Sequence, residues 1–126
     1  MTDKEPTTVG LTNSTKQSLD RLKNEGYFYE MLDAYKFAVG YALACNAISP
    51  PLSNTTTIFN VGTLDKDRML YNAVEALRVE EEEPVYKTVE RLAEWGIKEM
   101  IADAERGSID FSNIFTKVKT LNEDNS

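Results

Sequence analysis

The chain has 126 residues, 41% hydrophobic and 28% charged, with a formal net charge of −7, one cysteine and no histidine. That length fits one domain around one core, and no apolar run approaches the 18 residues that a membrane-spanning helix needs. Lacking histidine and with Cys45 alone, the chain has no closed zinc site and no Ser–His or Cys–His nucleophile pair, which leaves carboxylate, lysine, tyrosine or hard-metal oxygen chemistry.

Residues 1–6 read as a polar, disordered lead-in. Thr7 to Thr12 then alternates, with Val9 and Leu11 on one side and Thr8, Gly10 and Thr12 on the other, the period of a short strand or an extended arm. Ser14 with Gln17 matches a capping box; the helix it opens runs to Glu25 on an apolar face of Leu19 and Leu22, and Gly26 stands where a C′ glycine belongs. After the aromatic hinge Tyr27-Phe28-Tyr29, a second helix is predicted from Tyr29 to Ala47, apolar around most of its circumference and hence central to a core or a subunit interface.

Pro50 and Pro51 introduce a loop over residues 49–57, and Thr56 to Val61 is β-prone, a strand or an extended segment packing Ile58, Phe59 and Val61. Asp65 is the expected N-cap of a helix to Arg78. The acidic run Glu80 to Glu83 precedes Pro84 at an expected N1 position and reads as the solvated entrance of a helix reaching Arg106, with Gly107 closing it. Phe111, Ile114, Phe115 and Val118 recur at helical spacing in a last short helix, and residues 122–126 form a polar tail expected to be disordered. The expected fold is all-α (mostly helical): four to five helices with one or two short extended segments, in a single domain over 1–126.

Each candidate for chemistry has a plainer reading that is favoured. Asp65-Lys66-Asp67 lacks the spacing of an EF-hand and reads as a helix cap. Glu90 and Glu94 stand one turn apart, as a bundle metal site requires, but no Glu-x-x-His partner exists and a solvated helix face is the better reading. Asn60-Val61-Gly62-Thr63 is a turn rather than a phosphate cradle, and most of the six tyrosines and five phenylalanines fall at core spacing. No catalytic, metal or cofactor residue is assigned, no cofactor is expected, and the chain is read as not an enzyme.

The order of the first third, a short extended segment, a capped helix, a glycine turn and a longer apolar helix, resembles ribbon-helix-helix proteins, where two chains pair their strands into a ribbon that enters the major groove. That resemblance makes Thr8 and Thr12, with Lys16, the DNA-facing candidates, and Val9, Leu11, Tyr35, Val39 and Leu43 the candidates for an oligomer interface. Glu30 at the start of the second helix opposes phosphate, and a net charge of −7 disfavours duplex DNA as the partner.

The stretch Leu22 to Ala42, with Phe28-x-x-Met31-x-Asp33 leading into an alanine-rich helix, resembles small proteins associated with bacterial DNA phosphorothioation (Dnd) systems. Ile58-Phe59-Asn60 and Glu94-Trp95-Gly96-Ile97 have counterparts in such proteins, so the likeness spans residues 14–105. It implies an accessory role in a DNA-modification or defence system. The leading expectation is therefore a non-enzymatic adaptor acting through protein–protein contacts, a homodimer or higher homo-oligomer with a larger protein partner. A ribbon-helix-helix-like DNA binder is the first alternative and a carboxylate or metal enzyme the second. The polar start, without a signal pattern, and the lone Cys45 suit a cytoplasmic protein away from membranes.

Overall fold

A computed structural model describes residues 5–77, 83–107 and 109–124. Residues 80–82 of the expected acidic run Glu80 to Glu83, the expected helix end at Arg78, the first four residues of the lead-in and the end of the tail lie outside them. Among the described residues there are six helices and one two-stranded sheet, so the chain is mostly helical; β1 contributes to the core, and β2 packs Ile58 and Phe59 against it.

Strand β1 (Thr8–Thr12) buries Val9 and Leu11, as its alternation predicts, and pairs antiparallel with β2 (Thr55–Asn60). Leu11 stands opposite Thr56 and Thr12 opposite Thr55; an irregularity between Val9 and Gly10 leaves Ile58 as an extra residue on β2. Gly10 is required there, because a Cβ would collide with the carbonyl of Thr56. The ribbon is thus built within one chain.

Helix α1 (Asn13–Asn24) starts two residues earlier than the capping-box reading. Its N-cap is Thr12, and Ser14 lies inside the first turn. Its end follows the sequence closely: Gly26 has φ +85, its N–H donates to the Lys23 carbonyl, and Tyr27 N–H donates to the Leu22 carbonyl. Those are the two bonds of a Schellman motif. Helix α2 (Met31–Ala44) is shorter than expected at both ends. Asn46, at φ 55, ends it in the same way, with Asn46 N–H to Leu43 and Ala47 N–H to Ala42.

After β2 come a single turn, α3 (Val61–Leu64), and then α4 (Met69–Leu77), α5 (Val85–Glu105) and α6 (Phe111–Asp124). Helix α5 is the spine of the domain. It packs along α2, where Ala34, Tyr35, Ala38, Val39 and Ala42 are fully buried, and β1, α1 and α4 lie against its other sides. At the α2–α5 crossing a Cβ on Gly96 would come within 2.7 Å of the Ala38 Cα, so only glycine allows this approach. An aromatic cluster of Phe28, Phe37 and Phe111, with centroids 5.6–5.8 Å apart, ties α6 to α2.

Candidate functional site

Four carboxylates each reach from one element onto another. Glu90 and Glu94 project from α5 at β1: Glu90 Oε2 accepts from Gly10 N–H at 2.6 Å, and Glu94 Oε1 accepts from Thr12 N–H at 3.2 Å. The hydroxyls of Thr12 and Thr15 both donate to Glu94 Oε2 at 2.7 Å. Lys87 and Lys98 approach the two carboxylates at 3.4 and 3.3 Å from the solvent side. The expectation of a solvated face is therefore corrected: Glu90 is 5% exposed and Glu94 fully buried. Val85, Val89, Leu92, Ala93, Ile97 and Met100 span about 140° of the α5 circumference; at 100° per residue Glu90 lies about 20° and Glu94 about 60° beyond that arc, and they are buried because β1 and α1 cover that side of the helix.

Burial pushes the Glu94 carboxyl up, but the hydrogen bonds from Thr12 and Thr15, with Lys98 beside it, outweigh burial and hold it below the ordinary glutamate range. The Tyr35 hydroxyl, donating to the Gly10 carbonyl at 3.3 Å, is pushed well above its usual value by burial and by the nearby charges of Glu90 and Glu94.

The other two carboxylates cap helices. Asp65 is buried and accepts from Leu70 and Tyr71 N–H, both at 2.9 Å, and from the Tyr86 hydroxyl at 2.8 Å. It serves the α4 N-terminus, as the sequence predicts, from a loop four residues ahead of it and not as the N-cap residue. Burial and this bond to Asp65 raise the Tyr86 hydroxyl. Glu5 accepts from Val85 and Tyr86 N–H at 2.8 and 3.0 Å, so the acidic cap of α5 comes from the start of the chain. Pro84 is the N-cap there and not N1. Glu83 instead accepts from the Thr88 hydroxyl and pairs with Arg91 at 2.6 Å.

These arrangements account for most of the predicted site residues. Thr8 is exposed, Lys16 is half-buried, and the Thr12 hydroxyl is engaged by Glu94, so the three DNA-facing candidates do not form one open reading face. Val9, Leu11, Tyr35 and Val39 are at most 1% exposed within the single chain. They belong to its own core rather than to a surface offered to a partner, because β2 and α5 already cover β1 and α2. Leu43 alone among the interface candidates lines an open feature.

That feature is a cavity of about 370 Å³ between the end of α2, α4 and α5. Leu43, Ala47, Ile48, Val74, Leu77 and Leu92 supply an aliphatic lining, and Thr88, Glu83 and Arg91 a polar margin. Ile48 and Leu77 are 40% and 63% exposed. The position of Ile48 is set by its neighbour: Arg91 Nε donates to the Ser49 carbonyl at 2.9 Å, and Ser49 N–H donates to the Arg91 carbonyl at 3.2 Å. A second cavity, of about 500 Å³, opens beside Phe59 and is bordered by Lys23, Tyr29, Glu30 and Met31. No group of three or more acidic or cysteine side chains with metal-site geometry occurs among the described residues.

No family model matches the chain, and no match is found among the curated proteins or the solved structures.

Proposed function

We propose that this chain is a non-enzymatic adaptor that works through protein–protein contacts, in the DNA-modification setting that residues 14–105 resemble. The observation that supports this reading is the aliphatic groove between α2, α4 and α5, with Ile48 and Leu77 exposed at it. Exposed aliphatic side chains around a concave apolar surface are the form that anchors a partner's side chain. The buried carboxylates Asp65, Glu90 and Glu94 and the half-buried Glu5 support it as well, since each is engaged by backbone amides or hydroxyls that hold the fold together.

The test is affinity capture with the full chain, comparing wild type with Ile48→Glu and Leu77→Glu. Wild type should retain a specific larger protein from extracts of its native host, and both variants should release it while keeping the wild-type melting temperature. Retention of the same protein by both variants, or a salt-sensitive shift of duplex DNA by the chain alone, would overturn the reading.

A further inference from the structure

We propose that the outer edge of β2 is a self-association edge, on which a second copy of this chain lays its own β2 antiparallel about a two-fold axis. The inference goes beyond the adaptor reading and does not depend on the groove.

The two strands of the sheet differ in how their edges are used. One edge of β1 carries β2, and the other delivers the N–H groups of Gly10 and Thr12 to Glu90 and Glu94. Both edges of β1 are therefore closed. Among the described residues, strand β2 is paired along one edge only. Because Leu11 directs its ladder groups at Thr56, the alternation of an antiparallel pair turns the N–H and C=O of Thr55 and Thr57 away from β1. Among the described residues no other protein group meets those amides, and Thr55 and Thr57 are exposed.

An open edge is a template for another strand, and proteins usually blunt it with charge or proline. The sequence of β2, Thr-Thr-Thr-Ile-Phe-Asn, has neither. The extra residue Ile58 limits the regular part of the edge to Thr55–Thr57, which predicts a short, reversible pairing rather than open-ended growth.

Charge decides in favour of a second copy. Residues 37–64 contain no charged side chain, in a chain that is 28% charged with a net charge of −7. Two copies repel each other over most of their surfaces, and the repulsion is least where this neutral segment comes to the surface. Antiparallel pairing about a two-fold axis is isologous and sets β-branched threonines against their symmetry mates, a favourable cross-strand combination.

Sedimentation velocity on the full chain, from low micromolar to submillimolar, tests the proposal. Wild type should show a monomer–dimer equilibrium that tightens as salt screens the net charge, and the exchange protection of the Thr55 and Thr57 amides should rise with concentration. Thr57→Lys should weaken the dimer about tenfold or more, with an unchanged melting temperature in dilute solution; Thr55→Lys serves if Thr57→Lys does not fold. Leu77→Glu should leave the dimer intact, which separates this edge from the groove. A wild type that stays monomeric throughout, or a dimer that Leu77→Glu breaks and the lysine variants spare, overturns the proposal.

Discussion

The two sides of α5 use polar chemistry in opposite ways. Toward β1 and α1, α5 presents Glu90 and Glu94, and each finds donors on the strand or the helix that follows it. Toward α4 and the end of α2 it presents Thr88, Arg91 and Leu92 around an open aliphatic groove. The first side is closed because a buried carboxylate is stable only with its hydrogen bonds made. The second stays open because an aliphatic lining carries no such demand. Buried charge here fastens elements together, and the groove side leaves aliphatic surface open between a few polar groups.

The strongest way to break this contrast is Glu94→Ala. It removes the acceptor of the half-buried Thr12 N–H and of two threonine hydroxyls, which are left with each other at 3.1 Å, and urea denaturation should show a loss of about 3–5 kcal/mol. Glu94→Gln keeps an acceptor and should cost less. The same residue makes a pH prediction. Its carboxyl is held below the ordinary range in the folded chain, so the unfolded chain takes up the proton first as pH falls. The stabilisation is fully present above the ordinary glutamate value and is lost as pH drops through the lowered folded value. Thermal melts from neutral to acid pH should show this loss in wild type and a flatter profile in Glu94→Gln.

Next in size is Gly96→Ala, which drives a methyl group into the Ala38 backbone. Since a main chain yields less than a side chain, about 1–3 kcal/mol should be lost in the same denaturation assay. Glu5→Ala removes the cap from α5 and should cost about 1 kcal/mol, with faster hydrogen exchange at Val85 and Tyr86. The smallest effect sharpens the contrast from the open side. Leu77→Glu, on the exposed rim of the groove, should change stability by no more than about 0.5 kcal/mol; a large loss there would show that the groove is part of the closed core.

Some of this was legible in the residues themselves. Gly26 ends α1 at φ +85 where the sequence places a C′ glycine, Asp65 serves the α4 N-terminus, and the apolar stretch around Tyr35 and Val39 is central. Each signal acts within a few residues: a positive φ, a side chain reaching a nearby amide, a 3.6-residue period. The start of α1 misled because Ser14 is the better local cap, whereas Thr12 makes no side-chain bond to the helix it opens. Thr12 prevails through Glu94, which is far away in the sequence.

By itself the sequence determined a histidine-free, mostly helical chain with an apolar second helix, and where several helices stop. Only the tertiary structure decided which edge of β1 met β2 and which met α5, that Glu90 and Glu94 are interior, and that the cap of α5 comes from Glu5. Strand pairing joins residues 43 to 52 positions apart and the carboxylate contacts of Glu90 and Glu5 join residues 80 apart, so no local propensity can encode them. They follow from the packing of α5 between the strand and the second helix, which sets the donors that each acid meets and the edge of β2 that remains unpaired.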